Sequence, residues 1–384
     1  LELDPIRVAM LGSFPPQAQG VQDYCREVGT ALGQRCHLHA IGFRRMYPAA
    51  LFPGVKAAMD PTKAPMIAPG LTVEHRLTWH NPLGWLRAGL ATPCDVFHAQ
   101  WWSLPLFPVT WTILRAMKRR GKPIVVTAHN VLPHERSRAY ITASHRLFRL
   151  ANRVLVHSES NLEQLRAQYG LSEAKTLQVP MGVSLAGAPR VAPAEARAQL
   201  GLPDGPRYVL SFGNIRPYKG VDTLLHALAR LPQEVHVIIA GKPWSDWAPY
   251  ARIIEEHGLA PRVHTFLDYI PESRVPVFFG AADVVALPYT HFDAQSAVGA
   301  LALPYRKPMV VSRTGALPDW VENDPTWIVP PGDDGALADR LAALFAQWPA
   351  HCQAFDALAG RVLDATTWNA IAARLLAIYH DCQG

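Results

Sequence analysis

The sequence predicts an α/β protein of two doubly wound domains, each a parallel sheet with helices on both faces. Short apolar runs alternate with helical periodicity from the first residues onward, the pattern of repeated βα units. The alternation stops in an Ala-, Pro- and Gly-rich stretch after residue 180 and restarts near 208. A length of 384 residues suffices for two or three cores. With 49% hydrophobic and 18% charged residues, the composition is that of a folded chain and excludes disorder.

In the first half, apolar runs at 7–11, 36–41, 95–99, 123–128, 153–157 and 176–179 read as strands. Helical spacing at 21–32, 110–120, 141–150 and 161–169 fills the gaps. Residues 46–69, rich in Pro and Ala, break the pattern and read as an inserted loop. The apolar stretch 104–117 holds two prolines and reads as a buried helix entered through a loop, since no run reaches the length of a membrane span. A linker with one short helix at 193–200 follows.

The second half restarts with a strand at 208–212 and a helix at 221–231. Strands at 235–240, 263–266, 283–288 and 309–312 then alternate with helices at 247–257, 272–280 and 296–304. A last helix spans 367–382. Two such domains in tandem would hold a ligand in the cleft at the carboxyl ends of their sheets.

The five cysteines, Cys25, Cys36, Cys94, Cys352 and Cys382, are odd in number and form no Cys-x-x-Cys pair, which suggests a reducing compartment. Residues 1–5 carry no secretory pattern, so a cytoplasmic chain is expected. Residues 1–190 hold 22 Lys/Arg against 11 Asp/Glu, and residues 191–384 hold 15 against 20. The basic half suits either an anionic partner or a plain solvated face. Trp79, Trp85, Trp101, Trp102 and Trp111 accompany Arg115, Lys118, Arg119, Arg120 and Lys122 in that half. Such a mixture fits a membrane interface, and equally a core with a basic helix terminus. No nucleic-acid motif accompanies these cations, so no nucleic-acid partner is expected.

Several chemistries are excluded by missing motifs. There is no Gly-x-Gly for a dinucleotide, no Gly-Lys followed by Ser or Thr for a P-loop, no Gly-x-Ser-x-Gly and no His-Glu-x-x-His. His37 and His39 alternate along a strand without a further ligand, so no metal site is expected. The stretch from Phe212 to Gly220 is more informative. It leaves a strand through a turn with glycines near both ends and the cations Arg216 and Lys219 three apart, then enters a helix, which suits a diphosphate as well as an ordinary strand-to-helix turn. A second such turn runs from Asp293 to Gly299, where Ser296 would cap a helix whose first N–H groups could meet phosphate oxygens.

These residues resemble glycosyltransferase family 4, retaining enzymes of the two-domain GT-B fold. The matching pieces, in order, are 212–220, Ile238-Ile239-Ala240-Gly241, 282–289, Lys307-Pro308-Met309-Val310-Val311 and Gly315-Ala316-Leu317-Pro318. The first half matches more loosely, through 10–24 and Thr127-Ala128-His129-Asn130. The resemblance implies transfer of a hexose, such as mannose or glucose, from a nucleotide diphosphate sugar to a glycan or polyprenyl-linked acceptor, without a metal or cofactor. It divides the chain into an acceptor domain (1–185), a donor domain (186–365) and a helix crossing back to the first domain (366–384). It makes His129, Arg216 and Lys219 catalytic. Gly20, Gly213, Asn214, Gly241, Lys242, Asp293, Gln295, Ser296, Ala297 and Val298 would bind the donor. Two departures stand out: the family's paired Glu residues fall on Asp293 and Leu301, and its Arg directly after the glycine is Asn214. They leave room for a homologue that binds a nucleotide sugar without turnover. A nucleotide-sugar 2-epimerase of the same fold is the other alternative.

Overall fold

The computed structural model describes residues 4–16, 21–47, 66–132, 137–183, 189–291 and 296–384. The chain divides into two compact units: Leu1–Gly182 with Thr366–Gly384, and Val183–Ala365.

Unit 1 is a seven-stranded sheet, parallel throughout, in the order β3-β2-β1-β4-β5-β6-β7. The strands are β1 (Asp4–Leu11), β2 (Cys36–Arg45), β3 (Leu71–Thr78), β4 (Val96–Trp101), β5 (Ile124–Ala128), β6 (Arg153–Val156) and β7 (Thr176–Gln178). Along them come α1 (Gln22–Gly33), α2 (Pro82–Ala91), α3 (Phe107–Arg119), α4 (Arg138–Leu150) and α5 (Glu159–Tyr169). Side chains alternate across each strand, and here both faces are apolar because both are covered. Ile6, Val8 and Met10 of β1 pack on one side with α1, while Ala9 and Leu11 pack on the other with α3 and α4.

Unit 2 repeats the plan with six parallel strands in the order β10-β9-β8-β11-β12-β13. After α6 (Pro193–Gln199) come β8 (Arg207–Phe212), α7 (Val221–Arg230), β9 (Val235–Ala240), α8 (Ala248–Glu256), β10 (Val263–Phe266), α9 (Val275–Ala281) and β11 (Val284–Leu287). The unit continues with α10 (Ala297–Ala302), β12 (Met309–Ser312), β13 (Ile328–Val329), α11 (Asp334–Ala346) and α12 (Trp348–Thr366). The last helix, α13 (Trp368–Asp381), belongs to unit 1. Its Ile371, Leu375 and Tyr379 complete the core beside α1.

The structure corrects parts of the sequence reading. β3 and α2 stand where no element was expected, and β13, α11 and α12 extend unit 2. The tryptophans do not form one surface. Trp101 lies in the core, stacked on Tyr140 with its Nε1 donating to Ser144 Oγ at 2.8 Å, and Trp85 is buried with Nε1 donating to the Thr78 carbonyl. Arg120 is no outward cation. Its guanidinium donates to the carbonyls of Gly89 and Thr92 at the end of α2. Of the insert expected at 46–69, residues 48–65 lie outside the described residues, whereas Met46 belongs to the core.

Candidate functional site

In a doubly wound sheet, ligands bind outside the carboxyl ends of the strands where the strand order reverses. In unit 2 that point lies between β8 and β11, and a cavity of about 490 Å³ opens beside it. Its wall comes from four loops. The turn after β8 gives Gly213, Asn214, Arg216, Tyr218 and Lys219; the turn after β9 gives Gly241 and Lys242; Tyr269 and Ile270 follow β10; Ala297 and Val298 open α10.

Backbone geometry explains the glycines here. Gly241 has φ +147°, and a Cβ on it would strike the Gly213 carbonyl, so the turns after β8 and β9 approach only through glycine. The two turns are then zipped as a short parallel bridge: Ile215 N–H donates to the Lys242 carbonyl at 2.9 Å, and Trp244 N–H to the Ile215 carbonyl at 3.0 Å.

The cations are held differently. Lys219 is buried, its Nζ 3.5 Å from the Phe212 carbonyl and 5.7 Å from the centre of the Tyr289 ring. Burial, and then the neighbouring Arg216, push its pKa down to about 8. Arg216 lies against the Trp244 ring at 4.4 Å, which orients its fork without neutralising it. Two cations and exposed turn backbone at one cavity have the charge and the donors that a diphosphate calls for.

Ser296 sits behind this wall. Its Oγ accepts from Gly299 N–H as the cap of α10 and lies 3.3 Å from the Tyr289 hydroxyl. Of the residues expected to bind the donor, Gly213, Asn214, Gly241, Lys242, Ala297 and Val298 line the cavity together with Arg216 and Lys219. Gly20, Asp293 and Gln295 lie outside the described residues. Leu301 is on α10, partly exposed, and is not part of the wall. The sequence reading missed Tyr218, Trp244, Tyr269 and Ile270. For the three aromatic ones the signal was a ring shortly after a predicted strand, which periodicity alone treats as loop.

His129 lies in unit 1 within a chain of buried polar groups. His98 and Gln100 share a face of β4, His129 follows β5 and His157 follows β6, so three neighbouring strands bring them to one end of the sheet. His157 Nδ1 donates to the Val179 carbonyl at 3.0 Å, so its Nε2 accepts from His129 Nδ1 at 3.1 Å. His129 Nε2 lies 2.8 Å from the Gln100 amide, which also reaches His98 Nε2 at 3.3 Å; Tyr379 OH lies 2.7 Å from His98 Nδ1. Neutral rings throughout require Gln100 to turn its NH₂ toward His129 and its oxygen toward His98. Burial favours that state. It lowers His98 to about 3 and His157 to about 4, and places His129 well below its ordinary value. His98 lies in a predicted strand, His157 ends one and His129 directly follows one, but only the sheet order brings the three together.

The model for glycosyl transferases group 1 matches residues 193–381, and that for Glycosyltransferase Family 4 matches residues 18–186. The chain belongs to glycosyltransferase family 4. A D-inositol 3-phosphate glycosyltransferase of Mycolicibacterium gilvum is 31% identical over 272 residues, which cover 66% of this chain and 59% of that protein. A protein of the same description from Mycobacterium sp. strain JLS is 30% identical over 275 residues, 67% of this chain and 60% of its own. The chain thus spans about 60% of the length of these curated relatives. Among solved structures, Anabaena HepE in complex with UDP superposes with a TM-score of 0.71 at 18% identity, covering 98% of this chain and 100% of that one. A glycosyltransferase from Rickettsia africae gives 0.70 at 14% identity, covering 99% of each chain. These likenesses show the GT-B fold.

Proposed function

We propose that this family 4 protein transfers a hexose from a nucleoside diphosphate sugar to a glycan or lipid-linked acceptor with retention at the anomeric carbon. The observation that carries the reading is the cavity at the β8/β11 switch point, where Arg216 and Lys219 converge on two glycine turns. In such a transfer, charge develops on the departing diphosphate as the glycosidic bond breaks. Cations fixed beforehand stabilise that charge without reorganising. Arg216 takes two phosphate oxygens through its fork and Lys219 supplies a point charge at the base of the cavity. Their combined charge fills the role a divalent cation plays elsewhere, which supports a metal-independent reaction. Exposed Tyr269 beside Ile270 gives the nucleobase an aromatic face.

The relatives support the same reading: HepE of Anabaena has been solved with UDP and with UDP-glucose, and the curated relatives are glycosyltransferases of D-inositol 3-phosphate. His129 would approach the sugar or the leaving phosphate from the acceptor side, its Nε2 exchanging Gln100 for a ligand hydroxyl. A thermal-shift titration with UDP, GDP, ADP, dTDP and CDP tests the donor site on wild type and Arg216→Ala. A ligand at ~100 times its Kd adds about 2.7 kcal/mol. One nucleotide should stabilise the wild type and lose that effect in the variant; no response to any of the five sinks the donor reading. Leu301, in place of the family's second Glu, favours a second reading, binding without turnover. That reading survives only if a nucleotide binds but no sugar donor is consumed with any acceptor supplied.

A further inference from the structure

Helix α2 of unit 1 is apolar on both sides. Trp85, Ala88 and Gly89 face inward. On the outer side Leu83 is 75% exposed, Leu86 38% and Leu90 50%, and Trp79, just ahead of the helix, is 41% exposed. Positions 83, 86 and 90 fall on one stripe of a helix, with exposed Arg87 at its border. Single exposed leucines are ordinary, but three in register on a ten-residue helix beside a tryptophan form a contiguous patch of the kind that marks an interaction surface.

The surroundings of the stripe are cationic. α2 packs on α3 at close range, because Gly89 lies directly against Ile113 and Ala116. On that neighbouring helix Arg115, Lys118 and Arg119 are all exposed. Lys118 and Arg149 of α4 also lie near enough to Lys175 for their charges to help burial lower its pKa. From residue 75 to 134 seven Lys/Arg stand against one acidic residue, Asp95, and Asp95 is paired with Arg7. The stripe is the outer face of a helix, hence a ridge. A fluid planar surface receives a ridge directly, whereas a protein partner would need a matching groove. Long cationic side chains spread over several helices likewise match a diffuse sheet of negative charge.

We propose that unit 1 docks on an anionic lipid bilayer through α2. Leu83, Leu86 and Leu90 enter the headgroup and acyl boundary, Trp79 sits at the interface, and Arg87, Arg115, Lys118 and Arg119 meet lipid phosphates. The docking goes beyond the sugar-transfer reading and does not depend on it, since none of these residues belongs to the unit 2 cavity.

Vesicle co-sedimentation tests the proposal with phosphatidylcholine alone and with phosphatidylcholine mixed with phosphatidylglycerol. The wild type should pellet with the mixed vesicles only and be released by added salt. A triple variant, Leu83→Ser, Leu86→Ser and Leu90→Ser, and a second, Arg115→Glu with Lys118→Glu, should each weaken vesicle binding on the order of tenfold or more. All these side chains are exposed, so both variants should fold, as an unchanged circular dichroism melt would verify. Nucleotide thermal shift, run in parallel, should match the wild type in both, which keeps failure of the donor reading distinguishable. Wild type that ignores mixed vesicles overturns the proposal, as does vesicle binding indifferent to both variants. A self-associated wild type made monomeric by the leucine variant, with vesicles still ignored, overturns it in favour of a second copy.

Discussion

Lys219 has a folded pKa near 8, below the ~10.4 of an unfolded lysine, and the sign of its effects follows from that. Below pH 8 the group is protonated in both states and the folded protein carries the cost of a buried charge. As pH rises from 8 toward 10.4 the folded state sheds its proton first, and the cost fades. Lys219→Met should therefore raise Tm of the ligand-free protein at pH 7, and the gain should shrink across that window in a pH series of melts. The same substitution should weaken nucleotide binding by roughly tenfold to a hundredfold, the equivalent of a charge-assisted hydrogen bond of about 1.5–3 kcal/mol. Donor affinity of the wild type should itself fall above pH 8. Trp244 offers a milder perturbation: Trp244→Ala releases the Arg216 fork and should raise KM for the donor more than it lowers kcat, with Trp244→Phe recovering part of the loss. In unit 1, His98 and His157 are neutral when folded, and their folded pKa values lie below the ordinary 6.5. Their contribution is complete above pH 6.5 and is lost as pH falls to about 4 for His157 and about 3 for His98, because the unfolded chain takes up protons first. Acid titration of unit 1 stability by circular dichroism should show a decline over that range that is shallower in His98→Gln.

At the scale of elements, the two units share a device. Arg120 closes the end of α2 through the Gly89 and Thr92 carbonyls, and buried Arg262 closes α7 through the carbonyls of Leu228, Leu231 and Pro232, with Val235 beside them. Last-turn carbonyls lack partners within their own helix, so each guanidinium satisfies several at once. Arg262→Ala should lower unfolding free energy by about 2–3 kcal/mol, and Arg262→Lys should recover little because an ammonium cannot span that fork; chemical denaturation would decide it. Which elements were legible follows from burial. Strands β9 and β12 were readable to the residue because their apolar runs are bounded by turns. β3, Leu-Thr-Val-Glu-His-Arg-Leu-Thr, was not. It is an edge strand, mostly half-buried, and its polar residues mimic a loop. α2 was hidden for the opposite reason, since leucines on its outer face erase the amphipathic period. The cation pair and glycines of the cavity were legible as local motifs. Tyr269 and the histidine chain were not, because only the sheet order brings the ends of separate strands together.

For the whole molecule, each unit has its own core, and unit 1 needs the end of the chain to complete it. Ile371, Ala372, Leu375 and Tyr379 of α13 are fully buried there, and Tyr379 also holds His98. Large buried apolar side chains are worth about 1.5–3 kcal/mol each, and domains are stable by only about 5–15 kcal/mol. Ending the chain at residue 365 should therefore unfold unit 1 while unit 2 retains a cooperative melt and its nucleotide response. Differential scanning calorimetry of the shortened protein would show one transition in place of two, and a shortened protein that kept both would sink the argument.

Gly182, where the chain leaves unit 1, lies against Trp368, where it returns, so unit 2 is spliced into its neighbour like a long loop. On the ribosome this inverts the expected order of folding. The later-starting unit is complete at residue 365, while the unit that emerged first must wait for the final helix before its core can close. Until then the strands of unit 1 are apolar sheet without their last cover, and a nascent chain stalled before α13 has emerged exposes that surface to aggregation.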